Sequence, residues 1–185
     1  NASGLNLKLI WPSANNIGDL SWVVRADSPY HKISDLKGQK VAFTQPQSTT
    51  EMVLRTILQK EKLTNDVTIL PTGGIGPGIV AVDSGAVAAA PIEEPLLLKN
   101  PQNYRVLFHV TDYVPHIMFS VGVTTPEFAK THADFLTKLV AVHKEAVDYM
   151  YHNLPDDVAE YQKIWNSTDP AIAQILPRLF KENYW

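Results

Sequence analysis

The sequence holds no cysteine. That excludes disulfides, thiol nucleophiles and cysteine-ligated metals, but it leaves the compartment open, because disulfide-free proteins occur in either redox environment. No basic run occurs, and the formal net charge is −3 over 185 residues. Both facts argue against nucleic acid or an anionic membrane surface as a partner. No apolar stretch in the sequence approaches the ~18 residues that a membrane-spanning helix needs. A G-x-S-x-G nucleophile elbow is missing. The six histidines are scattered, with no H-x-x-x-H pair, so a helical metal site has no support. We therefore expect no metal, no cofactor and no catalytic turnover.

What is present is an ordinary globular composition with a strand–helix alternation over the first two thirds of the chain. Apolar runs predict strands at 6–11, 20–25, 40–44, 67–70, 86–91, 105–110 and 118–124. The segment 12–18, which opens on Pro12, reads as a loop. A helical turn is expected at 33–36, and helices at 51–63 and 79–84. Pro95 suits the first turn of a short helix within 92–98. The last third is helical: one helix opens at Pro126, the longest periodic pattern runs over 133–153, and further helices start at Pro155 and Pro170, with Pro177 breaking the last. This order predicts an α/β fold with a mainly parallel sheet and flanking helices. Val53, Leu54, Ile57, Leu139, Val140 and Val147 fall on the faces expected to be buried.

Three constellations carry chemistry. Ser48-Thr49-Thr50 follows a strand and opens a helix, so hydroxyls and free N–H groups converge there. That suits an anion or a polar acceptor, although Ser and Thr are also ordinary helix caps. Gly73-Gly74-Ile75-Gly76-Pro77-Gly78 also follows a strand, but its spacing fails the dinucleotide fingerprint, since Ile79 stands where the third glycine belongs. A turn lining a polar cavity and a plain loop both remain open. Glu93 and Glu94 precede Pro95. One of them can face a ligand amine, or both can be surface acids at a helix start. Trp11, Trp22, Tyr113 and Phe119 can stack on a planar ligand or simply pack. In a doubly wound sheet, ligands sit beyond the carboxyl ends of the strands. The candidate site is therefore Thr44, Ser48, Thr49 and Thr50, with Gly73 and Gly74 beside them and Glu93 or Glu94 at the rim.

The runs Trp22-Val23-Val24-Arg25-Ala26-Asp27-Ser28-Pro29, Ile33-Ser34-Asp35-Leu36-Lys37-Gly38-Gln39-Lys40-Val41-Ala42 and Ser48-Thr49-Thr50 resemble the solute-binding proteins of ABC importers for nitrate, sulfonate, taurine and thiamine-precursor pyrimidines. Gly85-Ala86-Val87-Ala88-Ala89-Ala90 and Glu94-Pro95 continue the likeness. The resemblance implies a type II periplasmic-binding-protein fold with two α/β lobes, two crossing strands and a ligand cleft. On that pattern 1–22 is a lobe-one strand and crossover, 23–118 is lobe two, and 119–185 is the return crossover and closing helices, with the first half of lobe one lacking. The family's glycine before the hydroxyls is Gln47 here, so a left-handed backbone is not expected at that position, and Ala88 replaces an aspartate. The resemblance implies a periplasmic or extracytoplasmic binding protein, compatible with a lipid anchor on the full-length form. Its partners would be a membrane permease and a small polar ligand such as a sulfonate, a taurine-like zwitterion or an aminopyrimidine. The same fold serves as the effector-sensing half of LysR-type regulators, which is the alternative. A pyrimidine-forming enzyme ranks third, because that relative relies on cysteine-bearing segments.

Overall fold

The computed structural model describes residues 4–185; residues 1–3, part of the expected segment 1–22, lie outside the described residues. In chain order the strands are β1 (Lys8–Ala14), β2 (Leu20–Arg25), β3 (Lys40–Phe43), β4 (Thr68–Pro71), β5 (Ala90–Glu93), β6 (Tyr104–His109) and β7 (Ser120–Thr124). The helices are α1 (Thr49–Lys60), α2 (Ile75–Asp83), α3 (Glu94–Leu98), α4 (Pro126–Thr131), α5 (Ala133–His152), α6 (Leu154–Ile164), α7 (Pro170–Ala173) and α8 (Ile175–Lys181). Backbone contacts divide the chain into two units, Ile17–Pro115 and residues 4–16 with His116–Trp185.

The Ile17–Pro115 unit is a sheet flanked by helices. β3 pairs parallel with β4, and the lead-in to β5 bridges β3 in parallel between Val41 and Ala89. β2 pairs antiparallel with both β5 and β6. The spatial order is therefore β4–β3–β5–β2–β6. β3, β4, β5 and β6 all run one way, as a mainly parallel sheet requires, and β2 is the exception. β2 enters between β5 and β6 in the opposite sense, so both pairings it makes are antiparallel. The chain reaches β2 from the other unit rather than through a helical crossover, which frees it from the parallel direction that such crossovers impose.

Buried apolar side chains hold this unit together. β2 is buried from Leu20 to Val24, and the Trp22 indole stacks on Phe108 at 5.5 Å while its Nε1–H donates to the Ala42 carbonyl at 2.9 Å. Trp22 is thus core, and Tyr113 meets Phe108 edge-on. α1 turns Val53, Leu54 and Ile57 inward, as expected, and Leu58 with them. Ala42, Val82, Val87 and Ala90 form a cluster between α2 and the sheet. Gly78 permits that approach: a Cβ there would meet Thr72 Oγ1 at 3.3 Å and the Ala90 Cβ at 3.4 Å.

The second unit is more open. β1 pairs antiparallel with β7, and its register slips between Leu9 and Trp11 and again between Pro12 and Ala14. Pro12 thus lies within the strand instead of opening a loop, at the kind of irregularity that tolerates a residue without an N–H. The Trp11 ring lies on Gly122, where a Cβ would sit 2.5 Å from the indole, and it also contacts His143 at 5.1 Å. Leu139, Val140 and Val147 were expected in the core but are only half-buried, and α5 has no buried residue. Its apolar residues occupy more than one face, and Phe135, Val142 and Tyr149 are exposed. Pro177 does not break the final helix. The break falls at Gln174, and Pro177 is the third residue of α8, where its missing N–H would have lacked an intrahelical partner anyway.

Candidate functional site

The parallel strands of the Ile17–Pro115 unit end at one edge, and the candidate residues gather there by chain geometry. Thr44 directly follows β3, and Ser48 caps α1 by accepting from the Glu51 N–H at 3.2 Å. The hydroxyls of Thr44, Ser48 and Thr50 form a triangle. Thr44 Oγ1 donates to Ser48 Oγ at 3.2 Å, and Thr50 Oγ1 lies 2.8 Å from each of the others. The Thr44 N–H also donates to Thr50 Oγ1 at 3.0 Å. Thr50 is buried, while Thr44 and Ser48 are half-buried. Three hydroxyls that satisfy one another can rotate toward a guest without leaving a buried group unpaired. Thr49, the first residue of α1, stands outside this triangle.

The loop before this triangle differs from the expectation drawn from sequence. Gln47 adopts φ 63°, so the left-handed backbone is kept without a glycine. Its N–H donates to the Glu51 carboxylate at 2.7 Å, and Glu51 also accepts from Arg55 Nε at 2.9 Å. The Gln47 hydrogen bond first, then Arg55, holds the Glu51 pKa below the ordinary carboxylate value.

The glycine loop is tied to the same place. The Gly73 N–H donates to the Thr44 carbonyl at 2.7 Å, and Gln45 Nε2 donates to the Gly73 carbonyl at 3.2 Å. Thr72 Oγ1 bonds the Phe43 carbonyl. Gly73 sits at φ 90°, which its missing side chain permits, and Gly74 caps α2 in an extended conformation. Two helix N-termini, those of α1 and α2, thus open side by side, and both present unpaired N–H groups.

Glu93 and Glu94 stand at the end of β5, one strand over from β3. The strand runs over Ala90–Glu93 rather than the expected 86–91, because 88–89 pair with β3 before β5 turns to β2. Glu93 is exposed and ends the strand, while Glu94 begins α3 and donates its N–H to the Asp19 carbonyl at 2.8 Å. Partial burial of its carboxyl, and secondarily the Asp19 carboxylate, raises the Glu93 pKa above the usual range. Solvent at the rim limits the effect. Asp19, Ser21, Gln45 and His109 share this edge and are not part of the candidate site drawn from the sequence. A hydroxyl in the apolar run of β2 is the one local sign of them.

A concavity of about 440 Å³ lies at the opposite end of the sheet, lined by Arg25, Asp27, Asp83 and Tyr104 among others. Its charges serve one another. Arg25 pairs with Asp27 at 2.9 Å and donates to the Asp83 carbonyl, and the Tyr104 hydroxyl donates to the Asp83 carboxylate at 2.9 Å. Among the described residues no cluster of His, Asp or Glu could hold a metal, and no helix is long and apolar enough to cross a membrane.

The sequence profile described as NMT1/THI5-like matches residues 3–157. Among solved structures, the alkanesulfonate-binding protein SsuA of Xanthomonas axonopodis pv. citri, bound to MOPS, superposes with a TM-score of 0.79 at 18% identity, covering 95% of this chain and 61% of that one. The periplasmic aliphatic sulphonate-binding protein SsuA of Escherichia coli gives 0.72 at 25% identity, over 95% of this chain and 60% of that one. The chain thus spans less than two thirds of the length of these relatives. No curated protein sequence matches it.

Proposed function

From a chain that belongs to the NMT1/THI5-like family, we infer a substrate-binding component of an ABC importer, working outside the cytoplasm and handing a small polar ligand to a membrane permease. The observation that carries this reading is the Thr44–Ser48–Thr50 hydroxyl triangle at the N-terminus of α1, with the α2 N-terminus and Gly73 beside it. Such an edge solvates a compact oxyanion: helix N–H groups supply oriented donors, and hydroxyls adapt to the guest. A sulfonate group fits that chemistry, and Glu93 at the rim favours a ligand that also carries an amine or another N–H donor. Thr49 and Gly74 contribute through backbone N–H groups rather than side chains. Binding here needs no turnover, no metal and no cofactor.

The relatives support this reading by their described roles as sulfonate-binding proteins, and no observation favours the regulator alternative. The test is calorimetric titration of the 185-residue chain with ethanesulfonate, taurine and MOPS, repeated on Ser48→Ala and on Thr44→Val. Each lost hydrogen bond to a charged ligand should cost about 1.5–3 kcal/mol, or roughly ten- to hundredfold in affinity. Unchanged affinity in both variants, with the fold intact, would reduce the triangle to a helix cap.

A further inference from the structure

We infer that His109, held by Ser21, is a ligand-contacting residue of this same edge and presents its Nε2–H to an acceptor oxygen of the guest. The inference rests on the binding reading above.

The argument begins with a residue that packing alone does not explain. Ser21 is 5% exposed and is the only polar residue in the buried run from Leu20 to Val24. A buried hydroxyl without a partner is costly, and an apolar residue would fill the space at no such cost. The partner is His109, directly opposite in the antiparallel register, with Ser21 Oγ 2.9 Å from its Nδ1. His109 is the last residue of β6 and is exposed. β6 runs parallel to β5, so His109 stands at the carboxyl end of its strand, as Glu93 does. The Asp112 carboxylate fixes the turn that follows by accepting from the His109 N–H at 3.3 Å.

The pairing also sets the tautomer. Ser21 has one proton to place, and Nδ1 is the acceptor within reach. If Nδ1 carried the hydrogen instead, the buried hydroxyl proton would need a second acceptor. The arrangement that satisfies the buried group is Oγ–H donating to Nδ1, and it leaves the hydrogen on Nε2. Among the described residues nothing bonds Nε2. A ring held from the buried side, with its other nitrogen a donor at the ligand edge, is suited to an oxyanion oxygen.

Two measurements on the 185-residue chain test this. Long-range proton–nitrogen NMR should find His109 in the Nε2–H form, with Ser21→Ala mixing the tautomers. A dominant Nδ1–H form in the wild type would overturn the inference. Calorimetric titration with ethanesulfonate should then show about tenfold weaker binding by His109→Ala, a smaller loss by Ser21→Ala, and partial recovery by His109→Gln, which keeps a side-chain donor. Thr44→Val is the control for the binding reading. Normal binding by His109→Ala, beside weakened binding by Thr44→Val, would overturn this inference alone. A lower melting temperature with unchanged affinity in His109→Ala would do the same. No binding of ethanesulfonate, taurine or MOPS by the wild type would overturn the reading and the inference together.

Discussion

Gln47 holds a left-handed conformation, φ 63°, at a place where glycine is the easier residue. A residue with a Cβ loses roughly 1–2 kcal/mol in that region, and here the Glu51 carboxylate offsets part of it by accepting the Gln47 N–H. Gln47→Gly should therefore stabilise the chain by about 0.5–1 kcal/mol, within the range of such backbone effects, as read from chemical denaturation. Destabilisation would mean that the Gln47 side chain itself supports the loop. Glu93 gives a prediction in pH. Its pKa is raised in the folded chain, so the folded state holds this proton more readily than the unfolded one. Its favourable contribution is present below the unfolded carboxylate value and is lost as pH rises through the folded pKa. Glu93→Gln should melt higher than the wild type at pH 7 and equally at pH 4. A gap that does not change with pH would contradict the assigned cause.

At the scale of elements, α1 and α5 show what periodicity reveals and what it hides. Both carry apolar residues at helical spacing, and both helices were legible in the sequence. In α1 one stripe meets the sheet, and Val53, Leu54 and Ile57 are buried as read. In α5 apolar residues occupy more than one face, the helix packs on β1 in a sheet of two strands, and the same pattern yields half-buried side chains. Periodicity reports that a face is apolar, not how much protein covers it. Leu54→Ala should cost about 2–5 kcal/mol, whereas Leu139→Ala should cost less than about 1.5 kcal/mol. Equal losses in chemical denaturation would contradict this difference in burial. The apolar run places β5 too early, at 86 instead of Ala90, because Val87-Ala88-Ala89 is as apolar as the strand itself. Only its pairing, first with β3 and then with β2, separates the two. The left-handed Gln47 was not legible, because the bond that supports it comes from Glu51, four residues on.

For the whole molecule, the strand order β4–β3–β5–β2–β6 explains how distant segments meet. Thr44, Gly73, Glu93 and His109 each follow or end a strand running the same way, so one edge collects all four. The first three were legible from that rule. His109 was not, because its value depends on a register with Ser21 that spans 88 positions of sequence. The most direct check on the central claim, that an oxyanion sits at this edge, is amide chemical-shift mapping while ethanesulfonate is added to the nitrogen-labelled chain. The account predicts saturable shifts centred on the amides of 48–52 and 73–76, with His109 joining them. Shifts confined to Arg25, Asp27 and Tyr104 at the opposite end of the sheet, or none at any concentration, would contradict it.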